Sequence, residues 1–275
     1  MIKLVRLLTE ISKNSKMIVM AGGAGSGKST LINKFKGAVP DFEIFNPDKY
    51  IENKDHPLYN KLTQASMQVD DRDIPDAMSQ GQNFIWDTTA SNANKLFGGK
   101  YRRKEVEGIL NNDDYDTLMV MVYAHPIVSF LRNFNRDRKV PKTGVLSTWN
   151  SVYGNLERYK QELGDNLVLY QSPAGEFQKD VDEFNEAASS GKLKEYFENL
   201  VKQDPGKYAS SFRKSDKGLS PEELAKKEKS REKSRQQFDI QVQQLEDQFG
   251  TIQKTIEDSA TSEDEVVSKV KNFAG

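Results

Sequence analysis

The sequence predicts an α/β protein with a parallel sheet at its core and a helical tail behind it. Three observations carry this. Short apolar runs of strand length recur before about residue 170, as in strands buried on both faces. Segments with helical spacing separate them, the alternation expected of parallel strands joined by crossover helices. After Gly206 the chain turns mostly charged or polar, so one core is expected, built from the first part of the chain.

Met17-Ile18-Val19-Met20-Ala21 is a continuous apolar run, the first strand. A glycine-rich stretch, residues 22–27, follows. Residues 29–36 then place Leu31, Ile32 and Phe35 at helical spacing. A second strand is expected over residues 42–45 and a third over 83–86, running into Asp87. A fourth, over 118–123, is the most hydrophobic and is expected to be central; a fifth covers 166–170. Helical segments fill the gaps over 58–78, 102–110, 127–136 and 146–163, with one or two more over 181–202. The N-terminal residues 1–16 alternate apolar and basic residues without the long apolar centre of a signal peptide, and read as a short amphipathic helix.

Residues 204–220 combine glycine, proline, serine and lysine and read as a linker between a domain over 1–203 and a tail over 221–275. Ser220-Pro221-Glu222-Glu223 is a helix start: serine at the cap, proline at the first helical position, glutamate three residues after the cap. Phe238, Val242, Leu245, Phe249, Ile252 and Ile256 then recur at spacings of four and three, a seam of about three heptads. That seam must be buried somewhere. Self-association or partner binding through 238–256 is one expectation, and a helix folded back on the domain is the other.

Of the 275 residues 29% are charged and 36% hydrophobic, and the formal charge is −1. No global basic field argues for nucleic acid, although a local basic groove remains compatible. There is no cysteine, which excludes disulfides and thiolate metal sites, and the two histidines, His56 and His125, do not suggest a His-based zinc site. No apolar stretch reaches membrane-spanning length. A cytoplasmic location is expected, that of the host if the chain is phage-encoded.

Gly22-Gly23-Ala24-Gly25-Ser26-Gly27-Lys28-Ser29 satisfies G-x-x-x-x-G-K-[ST] at every fixed position, with a strand before it and a helix after it. The chemistry calls for these residues. Glycines let successive N–H groups turn inward as an anion nest, and the helix that follows adds its free N–H groups and the positive end of its dipole. Lys28 reaches the β- and γ-oxygens of a nucleoside triphosphate, the Ser29 hydroxyl can ligate Mg²⁺, and Thr30 starts the helix. ATP and Mg²⁺ are the cofactors expected. A glycine loop with an exposed lysine is the bland alternative.

The acceptor side is read from Asn46-Pro47-Asp48-Lys49-Tyr50, from Asn83-Phe84-Ile85-Trp86-Asp87-Thr88-Thr89, and from Leu131-Arg132-Asn133-Phe134-Asn135-Arg136 with Arg138 and Lys139 beyond. In order and spacing this set resembles the kinase domain of the phage-type polynucleotide 5′-kinases and, more loosely, the zeta-toxin kinases, over roughly residues 17–160. The resemblance implies that Asp48 is the general base facing the acceptor hydroxyl. It implies that Asp87 organises the acceptor site, and that Arg136 is an arginine contacting the donor phosphates, with Arg132 beside it. Bland alternatives stand beside each: a turn aspartate after proline for Asp48, a helix cap for Asp87, a solvated basic face for the arginines. For Asp87 a role in holding Mg²⁺ through water competes. Cationic forks near a transferred phosphoryl group are independently expected on electrostatic grounds.

One position departs from the polynucleotide kinases: Ile51 stands where they carry an acceptor-binding arginine. Arg72, Lys100, Arg102 and Arg103 are candidate substitutes. His56-Pro57-Leu58-Tyr59 resembles the region after the aspartate in zeta-type kinases. His125 reads as a loop residue, Trp86 and Trp149 as core, and Tyr50 as either core or site.

The expected function is therefore an ATP-dependent phosphotransferase with a hydroxyl acceptor, first a polynucleotide or nucleotide 5′-hydroxyl. The alternatives are a zeta-type kinase of a small molecule such as a nucleotide sugar, and an ATP-binding or hydrolysing protein that engages a partner through its tail.

Overall fold

The structure, a computed structural model, describes residues 14–59, 61–101, 104–136, 139–208 and 220–275. The expected N-terminal helix lies almost entirely outside these residues, as do Arg102, Arg103, Arg138 and most of the expected linker.

Seven strands are present among them: β1 (Ser15–Ala21), β2 (Glu43–Phe45), β3 (Phe84–Asp87), β4 (Gly99–Tyr101), β5 (Lys104–Val106), β6 (Tyr115–Tyr123) and β7 (Leu167–Gln171). Five form one all-parallel sheet in the order β2-β3-β1-β6-β7. The most hydrophobic strand, β6, is interior, but the middle position belongs to β1. The helices are α1 (Lys28–Phe35), α2 (Asp48–Ile51), α3 (Leu62–Gln68), α4 (Ile74–Ser79), α5 (Ala93–Phe97), α6 (Pro126–Phe134), α7 (Lys142–Tyr153), α8 (Leu156–Leu163), α9 (Gln178–Ser189), α10 (Leu193–Gln203), α11 (Pro221–Ser259) and α12 (Glu263–Ala274).

The period-2 geometry of a strand divides the core in two. Met17, Val19 and Ala21 of β1, with Met119, Met121 and Tyr123 of β6, face a layer of α6, α7, α9, α10 and α11. Ile18 and Met20, with Leu118, Val120 and Val122, face α1 and α12. From Met17 to Ala21 both faces of β1 are fully buried, which is why that stretch reads as an unbroken apolar run.

Three local expectations are corrected. The segment read as a helix over 102–110 is, where described, strand β5 and a 3-10 turn at Ile109–Asn111. It has no apolar stripe, and a side chain at Gly108 would meet the Phe97 carbonyl carbon at 2.4 Å. The helix expected over 146–163 is two helices, α7 and α8, broken at Gly154, where a Cβ would lie 2.5 Å from the Asn150 carbonyl oxygen. Between α3 and α4 the chain widens into a π turn, Val69–Asp73.

The heptad seam is filled from within the chain. Phe238, Val242, Leu245, Phe249, Ile252 and Ile256 are all buried, and α11 packs along α7. Polar pins fix the register: Asn150 Nδ2 donates to the Gln241 carbonyl at 2.9 Å, Gln248 Nε2 donates to Asn150 Oδ1 at 2.9 Å, and Tyr123 donates to Gln253 Oε1 at 2.5 Å. The stripe offered by residues 238–256 is thus a core surface of the chain itself and not an open docking face. The capping box forms as the sequence indicates, with Ser220 Oγ accepting from Glu223 N at 3.3 Å and Glu223 Oε2 from Ser220 N at 2.8 Å.

His125 packs edge-on between Phe184 and Phe249, with Nε2 3.1 Å from Asn185 Oδ1. Burial pushes its pKa down from 6.5 to about 4. A histidine held neutral in the fold contributes stability that is complete above its unfolded pKa and lost as pH falls through its folded one. Between about pH 7 and pH 4.5 the loss is expected to be about 2–3 kcal/mol. Urea unfolding across that range checks it: a His125→Gln variant should show a flatter decline than the wild type, and parallel declines would contradict the assignment.

Candidate nucleotide and acceptor site

At the carboxyl ends of the parallel strands lies a cleft of about 680 Å³, where ligands of open α/β sheets bind. The loop from Gly22 to Gly27 leaves β1 and enters α1, whose first turn carries no side-chain cap. Its N–H groups therefore remain available to an anion. The loop is drawn tight. Gly25 has φ +77°, and a Cβ there would lie 2.5 Å from the Ser129 carbonyl oxygen. Gly22 is equally constrained, with Val122 O 2.6 Å from the position of a Cβ. Side chains at either place would push α6 and β6 away from the loop. Gly23, Ala24, Gly25, Ser26, Gly27, Lys28, Ser29 and Thr30 all line the cleft, whereas Gly22 is tucked beneath it. The helix starts at Lys28, two residues before the expected Thr30.

Lys28 lies back over the loop. Its Nζ donates to the Gly22 carbonyl at 2.9 Å and the Gly23 carbonyl at 3.5 Å, and stands 3.7 Å from Asp87 Oδ1. Asp87, at the end of β3, is only 5% exposed. Burial raises its carboxyl above the usual range; the Lys28 charge opposes this and the Asp48 charge adds to it. Asn46 joins the two acids. Its Nδ2 donates to Asp87 Oδ2 at 2.8 Å, and its Oδ1 accepts from the Asp48 backbone N–H at 2.8 Å. This Asx-type turn fixes Asp48 as the first residue of α2, facing the cleft beside Asp87.

Arg132 reaches across from α6. Its Nη1 donates to Ser172 Oγ at 2.9 Å and its Nη2 to the Pro173 carbonyl at 2.6 Å. Arg136 also lines the cleft and donates to Asn133 Oδ1 at 3.3 Å. The buried Asn133 clamps Val140 through both backbone groups, each at 3.0 Å, and so holds the chain after α6 against it. Lys139 turns away to the Lys207 carbonyl. Of the described members of the expected basic cluster, two arginines enter the site.

Several lining residues carry no sequence signal of their own. Leu62, Ser66 and Asp70, from α3 and the π turn, form the far wall beside Thr88 and Thr89. Asp70 pairs with Lys95 at 2.5 Å, and burial raises its carboxyl despite that partner. On the opposite side stand Lys34, Tyr170 and Glu263, the last on α12. Glu263 sits 2.5 Å from Lys34 Nζ and accepts from the Tyr170 hydroxyl at 3.2 Å; the Lys34 hydrogen bond holds its carboxyl below the usual range. Ile51 is 2% exposed and points into the core. Arg72 and Lys100 are exposed and do not line the cleft. Tyr50 donates to Asp73 at 2.5 Å outside it, and Trp86, Trp149 and His125 are buried in the core.

For Mg²⁺ the oxygen donors are the exposed Ser29 hydroxyl and the Asp87 carboxylate. Among the described residues no three acidic, histidine or cysteine side chains form a cage. One hydroxyl and one nearby carboxylate fit an ion that keeps waters and binds through substrate phosphates. No helix among the described residues is long and apolar enough to cross a membrane.

The family model described as zeta toxin matches residues 6–171. No curated protein matches the chain. Similar solved structures include one of the PezAT chromosomal toxin–antitoxin system of Streptococcus pneumoniae, 16% identical over 62% of this chain and 75% of that one, with a TM-score of 0.41. The AvrRxo1-ORF1:AvrRxo1-ORF2 complex with sulphate ions is 13% identical over 97% and 83%, with a TM-score of 0.45. Deoxyadenosine kinase from M. mycoides with bound dATP is 16% identical over 57% and 91%, with a TM-score of 0.33. These likenesses are distant.

Proposed function

Because the chain belongs to the zeta-toxin family, we propose that it is an ATP-dependent kinase acting on a hydroxyl of a small molecule, of the nucleotide-sugar kind that the resemblance to zeta-type kinases implies. The observation that carries this is the charge distribution of the cleft. The lining cations Lys28, Arg132 and Arg136 sit at the start of α1, on α6 and in the bend just after it, where the donor phosphates belong. The acceptor wall offers Asp48, Asp70 and Asp87 with Asn46, Ser66, Thr88 and Thr89, and the buried Ile51 supplies no cation. A polynucleotide extends its phosphates far beyond the reacting hydroxyl and binds through a track of cations, whereas the phosphates of a nucleotide sugar end at the sugar that reacts. A carboxylate-lined wall suits a compact acceptor with several hydroxyls to donate.

In this reading the loop N–H groups and Lys28 hold the donor triphosphate, and Arg132 and Arg136 balance charge on the transferred group. The acceptor hydroxyl donates a hydrogen bond to Asp48. As its oxygen bonds to the γ-phosphorus, the bond from that phosphorus to the bridging oxygen breaks, ADP leaves, and the hydroxyl proton passes to Asp48. Ser29 and Asp87 would hold Mg²⁺, which when bound would offset the negative charge of the donor phosphates.

The test is competition for labelled γ-phosphate among nucleotide sugars, free nucleosides and 5′-hydroxyl DNA and RNA oligonucleotides. Label is expected on a small-molecule acceptor, with oligonucleotides neither labelled nor competing. Label on an oligonucleotide 5′ end would instead favour the polynucleotide kinase reading.

A further inference from the structure

We propose that Glu263, at the start of the C-terminal helix α12, reads the sugar hydroxyls of the donor nucleotide. The proposal rests on the ATP-kinase reading and extends it to a residue far outside the span 6–171 matched by the family model.

The sheet order sets the direction in which the nucleotide lies. The phosphate loop follows β1, in the middle of the order β2-β3-β1-β6-β7. Asn46 and Asp48 follow β2, and Asp87 ends β3, so the acceptor and the γ-phosphate belong on the β2–β3 side. The nucleoside must extend the other way, toward β7, which lies three strand spacings from β3, about 14 Å. On that side the cleft is lined by Thr30, Lys34, Tyr170, Ser172, Pro173 and Glu263. Lys34 lies six residues beyond Lys28 on α1, about 9 Å further along the helix axis, a span that phosphates and a sugar can fill.

Of the four carboxylates among the described lining residues, Asp48, Asp70 and Asp87 are on the acceptor side and Glu263 alone is on the β7 side. A carboxylate facing phosphates would repel them. Facing the sugar, it meets hydroxyl donors. Glu263 is fixed for this role by the 2.5 Å pair with Lys34, which also offsets its charge, and by the Tyr170 hydroxyl at 3.2 Å. A carboxylate has about four acceptor positions; Lys34 Nζ takes one on each oxygen at 2.5 Å and the Tyr170 hydroxyl a third, which leaves about one for a ligand hydroxyl, and the side chain is still 34% exposed toward solvent. Its position does not depend on a loose tail. Val266 and Val270 of α12 are fully buried against α1 and the sheet, and Thr261 pairs with Leu169 through N–H and hydroxyl at 2.8 and 2.9 Å.

The experiment is calorimetric binding of ATP and 2′,3′-dideoxy-ATP, with Mg²⁺, to the full wild-type chain, Glu263→Ala and Glu263→Gln. The wild type should prefer ATP at least tenfold. Glu263→Ala should weaken ATP to the level of the dideoxy analogue while leaving the analogue's affinity unchanged, which also reports an intact site. Glu263→Gln, which preserves shape and one acceptor oxygen, should retain a reduced preference. Equal wild-type affinities, or a preference that survives in both variants, would overturn the assignment of Glu263 alone. Failure of the wild type to bind either nucleotide would overturn the ATP-kinase reading and this assignment with it.

Discussion

Lys28→Ala is expected to lower phosphoryl transfer about 10²–10³-fold, the scale of losing one preorganised charge donor. In the structure the Lys28 ammonium already hangs over the loop on two backbone carbonyls, 3.7 Å from Asp87. A triphosphate in the loop offers it stronger partners, so the lysine is placed before the ligand arrives. Its removal should leave the fold intact, because the apolar contacts of α1 come from Leu31, Ile32 and Phe35. The buried Asp87 would lose the cation that opposes its desolvation, and its carboxyl should rise further and go neutral rather than unfold the site. Lys28→Arg should not restore activity, since the wider planar guanidinium cannot occupy a point-charge position inside the loop. Steady-state rates together with thermal melts check this, and a loss smaller than tenfold would contradict the role.

Asp48→Asn is expected to reduce transfer by about 10²–10⁴-fold, the range for removing a positioned general base. At neutral pH affinity for ATP should not change, because Asp48 lies on the acceptor side, after β2. The substitution is nearly isosteric. The Asn46 turn that aims position 48 uses the backbone N–H and survives it. A second effect follows from the neighbouring acid: the Asp48 charge is one cause of the raised Asp87 carboxyl, so Asp87 should ionise at lower pH in the variant. A pH profile of nucleotide binding would register that shift even where transfer is too slow to follow.

The donor half of this site was readable from the chain because it is local. Strand, glycine loop, lysine and helix lie within about twenty consecutive residues, and each has a fixed geometric duty. Asp48 and Asp87 were readable as acids at strand ends; both line the cleft, and Asp87 stands 3.7 Å from Lys28. What joins them, Asn46, stands in the same segment with no role legible in the sequence, and its bond to Asp87 spans 41 residues. Asp70 was hidden because a π turn rotates it out of the regular helical face. Glu263 was hidden by distance: 229 residues separate it from Lys34. The antiparallel pairing of β4 with β5 was not legible, because a charged segment without periodicity carries no strand signal. The tail illustrates the opposite case. The heptad seam was legible in full, but periodicity reports that a face is buried and not what buries it; α7 supplies the answer. Of the two resemblances, the looser one is the family that the comparison supports.

The most direct test of the central claim is the fate of the γ-phosphate. The wild-type chain would be incubated with γ-labelled ATP, Mg²⁺ and a panel of nucleotide sugars, and the products separated by mass. The account predicts label in a phosphate monoester on a sugar hydroxyl, absent with Asp48→Asn. Label released only as inorganic phosphate, at the same rate in Asp48→Asn, would contradict it and assign the chain to nucleotide-driven binding of a partner.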